Sequence, residues 1–149
     1  MKQVNMCILL IMTMLISCGT KEKNIEKNYF PVWLEGNWLN SGQSNTNDFE
    51  FWVFANDTIV HTIGMPVKSK EILNEKYADY KKITQQSDST FQINFIKDKD
   101  TIAYNFRLEK LEWTTYRAFS YSLIINGKVI YEHNTDAGYI LINQKDFLN

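Results

Sequence analysis

The side chains able to do chemistry in this chain are few and scattered. His61 and His133 are its two histidines, and they lie far outside the His-x-x-x-His spacing that sets two imidazoles on one metal. Each reads as a partly buried strand residue. Glu35, Asp48 and Glu50 are the acids nearest to forming a carboxylate pair for glycoside hydrolysis, yet acids at that density are ordinary on a solvated surface. Ser120 and Ser122 stand two apart, as on the polar face of a strand, and no Gly-x-Ser-x-Gly turn surrounds them. There is no glycine-rich phosphate loop, and the 6 glycines and 2 prolines read as turn punctuation. The residues thus point to a non-enzymatic protein that needs no cofactor and no metal.

The cysteines carry the clearest signal. Met1-Lys2-Gln3 is a short, positively charged start, followed by the mostly apolar run Met6 to Ile16. A bilayer-spanning helix needs roughly 20 apolar residues, whereas the apolar core of an export signal takes about 7 to 15. Next comes Leu15-Ile16-Ser17-Cys18-Gly19, an aliphatic residue, a tolerated one, a small one and then cysteine, which resembles the lipobox of bacterial lipoproteins. The resemblance implies a signal peptide over 1–17, cleavage before Cys18, a diacylglyceryl group on the Cys18 sulfur and acylation of the new amine by a chain such as palmitate. A single acyl chain holds a protein at a membrane only marginally, while two or three hold it stably. The expected location is therefore the cell envelope, anchored to a membrane, on the periplasmic or surface face of an outer membrane. Cys7 falls within the leader, so the mature chain would keep no second thiol for a disulfide or a metal site.

Composition narrows the partners. Lys2 is the one charged residue of the leader, so 15 basic and 17 acidic residues remain after its removal. The lysines are interspersed with acids rather than gathered into a stripe, which leaves no footprint for a nucleic acid. The residues from 18 to 32 (CGTKEKNIEKNYFPV) are charged and polar without a sustained period, and they read as a lipidated cysteine followed by a flexible tether. The remaining 33–149 is long enough for one domain with its own core. With 44% hydrophobic and 14% aromatic residues over the whole chain, the domain should fold by packing alone.

Its pattern is one of hairpins. In Thr90 to Lys97 the apolar residues Phe91, Ile93 and Phe95 alternate with Gln92 and Asn94, and Thr101 to Glu109 repeats the alternation with Ile102, Tyr104, Phe106 and Leu108. The two apolar faces coincide only if the loop is even, so a turn centred on Asp98-Lys99 pairs Phe95 with Ile102, Ile93 with Tyr104 and Phe91 with Phe106. Asn126-Gly127 marks a second turn. A two-residue loop there would mix the faces, so the sequence favours a bulged three-residue loop, Ile125-Asn126-Gly127, pairing Leu123 with Val129 and Tyr121 with Tyr131. Phe49 to Ala55 and Thr58 to Ile63 form a third hairpin around Asn56-Asp57, and Gly138 to Asn143 a closing strand. Ile72, Leu73, Tyr77 and Tyr80 fall at helical spacing, which predicts one short helix within 69–80.

The expectation is all-β: an antiparallel meander of about eight strands forming a barrel or a bent sheet, with a β-sandwich as the alternative. Leu34-Glu35-Gly36-Asn37-Trp38 resembles the Gly-x-Trp of the first strand of lipocalin-like (calycin) barrels, in which the Trp plugs the closed end against an Arg of a late strand. Gly36 and Trp38 match. The arginines are Arg107 and Arg117, and neither lies in the final strand. That resemblance implies a barrel interior able to bind a small apolar or amphipathic ligand, with Trp52, Phe54, Tyr121 and Tyr131 as the candidate lining. A different class of function, an inhibitor or accessory subunit of an envelope complex, would instead use an exposed patch around Trp33, Trp113 or the Glu35 to Asp48 loop.

Overall fold

The alternation builds long strands, and their curvature decides what the molecule can enclose. The computed structural model describes residues 29–41, 49–64, 66–112, 115–133 and 140–147. The leader, Cys18, most of the tether, residues 42–48 and Trp113 lie outside the described residues. Among the described residues there are ten strands: β1 (Gly36–Ser41), β2 (Glu50–Ala55), β3 (Thr58–Ile63), β4 (Ser69–Ile72), β5 (Lys81–Gln86), β6 (Thr90–Lys97), β7 (Asp100–Glu109), β8 (Ala118–Ile125), β9 (Lys128–Glu132) and β10 (Ile140–Asn143). One four-residue helix, α1 (Leu73–Lys76), follows β4, and a 3-10 turn (Gln144–Phe147) follows β10.

All strands belong to one antiparallel sheet of order β4-β3-β2-β1-β10-β8-β7-β6-β5, with β9 also paired to β8. The sheet curls into a half-barrel, so the bent sheet is the correct reading and the sandwich is not. β10 does not close an edge. It joins the two arms of the meander, pairing Trp38 with Asn143 on one side and Phe119 with Leu141 on the other. The edge strands β4 and β5 are neighbours in sequence but are not hydrogen-bonded to each other; α1 lies between them in the chain and packs against β3 and β4. Leu73 and Tyr77 are buried, and the Tyr77 ring lies 4.5 Å from Phe95. Asn74 donates to the Asp57 carbonyl at 2.7 Å, and Lys82 of β5 is ion-paired with Asp57 across the opening. The helical spacing within 69–80 thus marks only one turn of helix, because Ser69–Ile72 pairs with β3 instead.

Two of the three hairpins have the expected register. Phe95 pairs with Ile102, Ile93 with Tyr104 and Phe91 with Phe106, around a turn whose Asp98 has φ 53°. The β2–β3 hairpin turns at Asn56, φ 56°. The β8–β9 hairpin differs. Ile125 pairs with Lys128 across a two-residue turn in which Asn126 and Gly127 have φ 51° and 77°, the signs of a type I′ turn. The extra residue that parity demands sits further along: Ile124 faces Val129 but Leu123 faces Tyr131, which makes Ile130 the bulge. The pairings of Leu123 with Val129 and of Tyr121 with Tyr131 are therefore both corrected: Leu123 faces Tyr131, and the Tyr121 carbonyl accepts from the His133 N–H at 2.8 Å.

The inner face divides in two. Toward the Gly36, Ala55 and Ala118 ends of their strands it is a solid aromatic plug. Phe30, Leu34, Trp38, Phe54, Phe91, Phe106 and Phe119 are all buried there, with edge-to-face ring pairs such as Trp38–Phe119 at 4.8 Å and Phe30–Phe54 at 5.6 Å. Phe30 belongs to the stretch read as tether, yet its ring packs inside the core. Trp38 Nε1 donates to the Leu34 carbonyl at 2.8 Å. Where a calycin barrel would offer an arginine, β10 offers Asn143, which is buried and donates to the Glu35 carbonyl at 3.2 Å. Gly36, at φ 121°, takes a backbone shape that side chains disfavour, and a Cβ there would meet Asn143 Nδ2 at 3.1 Å.

Candidate functional site

The other half of the inner face, toward the Glu50, Ile63 and Leu123 ends, is built differently. Strand β2 reads Glu50-Phe51-Trp52-Val53-Phe54, and its burial alternates so that Glu50, Trp52 and Phe54 all point inward. A carboxylate is thus forced into an apolar face by the same parity that buries a tryptophan and a phenylalanine. Pairing brings His61 opposite Trp52 and Ile63 opposite Glu50, and β8 brings in Tyr121 from 71 residues away.

Three donors converge on a single oxygen of Glu50. Tyr121 Oη donates to Oε1 at 2.6 Å, Trp52 Nε1 at 3.0 Å, and His61 Nε2 lies 2.7 Å from the same atom. The His61 ring stacks on Trp52 with centroids 3.9 Å apart, which fixes its orientation. Burial pushes the Glu50 carboxyl up, but the hydrogen bonds from His61, Tyr121 and Trp52, together with the charge interaction with His61, outweigh it and hold the group below its ordinary value. Tyr121 moves the opposite way: burial and the adjacent Glu50 push its hydroxyl well above the usual tyrosine range, so it stays a donor. A carboxylate with a lowered proton affinity is a poor general base near neutrality, and a tyrosine that keeps its proton is a poor nucleophile. The arrangement is suited to holding something polar.

Above this cluster lies a cavity of about 500 Å³. Its apolar walls are Ile63, Leu123 and the rings of Tyr104 and Tyr131, its floor is Glu50, His61 and Tyr121, and its rim carries Ser69, Glu71 and Lys76. Lys76 Nζ sits 2.7 Å from Glu71; burial lowers the ammonium's proton affinity, but the Glu71 and Tyr77 side chains more than offset that and hold it above its ordinary value. Tyr104, pushed up by burial and by its contact with the Tyr77 hydroxyl at 3.4 Å, stays protonated.

The sequence-derived lining divides accordingly. Tyr121 and Tyr131 line the cavity, their rings 5.2 Å apart. Trp52 lies behind Glu50 with no exposed surface, and Phe54 is stacked beneath Trp52 at 5.9 Å as part of the aromatic plug. Glu50, His61 and Tyr104 were not singled out as lining by the sequence; the signal available was an acid at an inward position of β2. His133 is buried beside the cluster, its ring parallel to Tyr121 at 5.7 Å, and burial holds its imidazole below the ordinary value.

A second concavity, of about 490 Å³, borders the polar face with Gln92, Asn105, Arg107, Ser120 and Ser122 among its walls. Several of these already satisfy one another or a neighbour: Arg107 and Ser120 both bond Glu109, and Asn105 reaches Ser122 at 3.5 Å. Among the described residues no group of three or more His, Cys, Asp and Glu could hold a metal ion, and no helix is long and apolar enough to cross a membrane. No protein-family model, curated protein or solved structure matches this chain.

Proposed function

We propose that this protein is a membrane-anchored lipoprotein of the bacterial cell envelope, whose lipocalin-like half-barrel binds a small amphipathic molecule without transforming it. The lipobox at Leu15 to Cys18 supports the anchor. The observation that carries the binding function is the cavity of about 500 Å³ with a hydrogen-bonded carboxylate at its floor and Ile63, Leu123 and Tyr131 on its walls, the mix of apolar enclosure and a few fixed polar groups that small-molecule sites use. Displacement of an apolar fluorescent dye tests it. The protein should take up the dye in one site, and Leu123→Trp, which fills the cavity, should abolish uptake; equal uptake by the filled variant removes the reading. Mass spectrometry of protein from its native host tests the anchor, which an intact leader or an unmodified Cys18 would refute.

A second reading has one observation in its favour. Val129 and Ile130 of β9 are about half exposed, at 53% each, as a surface for a protein partner of an envelope complex would be. Replacing both by Lys should leave dye uptake intact on the binding reading, while on the interaction reading it should release a partner from the native membrane.

A further inference from the structure

We propose that the occupant of this cavity carries a protonated amine, held by Glu50 Oε2 and flanked by the rings of Tyr104, Tyr121 and Tyr131. The inference rests on the cavity being a ligand site and adds the chemistry of the head group. Its first support is the asymmetry of Glu50. All three hydrogen bonds to this side chain end on Oε1, and Oε2 accepts none from any described residue. Oε2 is also not one of the enclosed atoms that lack a partner, and Glu50 itself lines the cavity. An ionised carboxylate has about four acceptor positions, so a side chain only 7% exposed presents unused negative charge to a space that a ligand can enter.

The second support is the charge of the lining. Its acids are Glu50 and Glu71, and its one ammonium, Lys76, is committed to Glu71 at 2.7 Å. His61 is engaged with Oε1 at 2.7 Å, so the lining holds no uncommitted basic side chain. An anionic head group would meet Glu50 with no cation free to receive it. The third support is aromatic. The faces of tyrosine rings carry negative quadrupole potential and attract cations within about 6 Å of the ring centroid, and three tyrosines line this one cavity. A carboxylate oxygen among aromatic rings is complementary to an ammonium group, with Ile63 and Leu123 left for its apolar body.

2-Phenylethylamine, 2-phenylethanol and phenylacetate share a benzyl body and differ in head group. Their affinities can be measured by calorimetric titration of the full lipidated protein in lipid nanodiscs, with empty nanodiscs as the reference. The amine should bind about tenfold or more tighter than the alcohol, as for a charge-assisted hydrogen bond, and phenylacetate should bind weakest. Glu50→Gln should erase the preference for the amine over the alcohol, so that the two bind within about twofold of each other. Phenylacetate binding as tightly as the amine would overturn the proposal, as would a variant that keeps the preference. The head-group ranking of the unaltered protein decides the matter even if Glu50→Gln does not fold. Equal binding of all three would remove the amine and leave the cavity as a ligand site, whereas no binding of any of them would remove both.

Discussion

One curled sheet carries two opposite solutions to the problem of an inner face. At the Trp38 end, rings fill the space edge to face, and the Trp38 indole N–H is satisfied by a carbonyl four residues back. At the Glu50 end the same alternation places a carboxylate, an imidazole and three tyrosines inward, with a cavity above them. Stability is concentrated in the first region. The second spends some of it on holding a charged group where water is scarce, and such a concession is a mark of a binding site. The difference is one of side-chain chemistry on a common backbone, since β2 and β8 both run through the two regions.

Substitutions should separate the halves. Trp38→Ala should cost the most, about 3–5 kcal/mol in denaturant unfolding, because it empties a fully buried volume among Phe119 and its neighbours; the affinity of the surviving folded protein for a cavity ligand should not change. Glu50→Ala should cost about 3 kcal/mol, since it strands the Tyr121 hydroxyl, the Trp52 N–H and His61 together. Unlike Trp38→Ala, it should also change binding. If both variants altered affinity alike, the division into a plug and a site would fail.

A smaller effect should have the opposite sign. Asn40 of β1 is 5% exposed, and neither atom of its amide has a hydrogen-bond partner among the described residues. Asn40→Leu should therefore raise stability by about 1 kcal/mol, measured as an increased denaturation midpoint at unchanged slope.

The pH dependence sharpens the comparison further. Burial holds the folded His133 below the ordinary imidazole value of 6.5, so as pH falls below 6.5 the unfolded chain takes up a proton that the folded protein refuses, and stability drops. Against burial, its hydrogen bonds hold Glu50 below the ordinary carboxyl value of 4.5. Its contribution is complete above 4.5 and is lost as pH falls from there toward its folded value. Unfolding free energies measured across this range should decline in two stages, with His133→Gln flattening the upper stage and Glu50→Gln the lower.

Much of the backbone is legible in the sequence, for a physical reason. With a period of two and one buried face, β6 and β7 had a single register that kept Phe91, Ile93 and Phe95 dry, and Asp98 could supply the turn. In β8–β9 the same parity argument detected an extra residue but placed it in the turn. The structure keeps Asn126-Gly127 as a tight pair and puts the irregularity at Ile130, in the middle of β9, whose exposure along its whole length tolerates it. The short helix expected within 69–80 is present as Leu73–Lys76, held to one turn because the residues before it, Ser69–Ile72, pair with β3. The site was mostly illegible, because its central contact joins residues 71 apart, Glu50 and Tyr121. Local spacing cannot reveal a bond that only the curl of the sheet creates. Tyr121 and Tyr131 were found as inward aromatics, but the aromatic periodicity that found them also included Phe54, which the closed end consumes as packing.

The most direct measurement is chemical-shift mapping of the isotopically labelled protein with the neutral ligand 2-phenylethanol, which asks only where an amphiphile goes. Perturbations should gather at Tyr104, Tyr121, Leu123 and Tyr131, while Trp38, Phe54 and Phe91 stay quiet. Shifts spread equally over both halves, or confined to the polar outer face around Gln92 and Arg107, would contradict the existence of a ligand site at the Glu50 end.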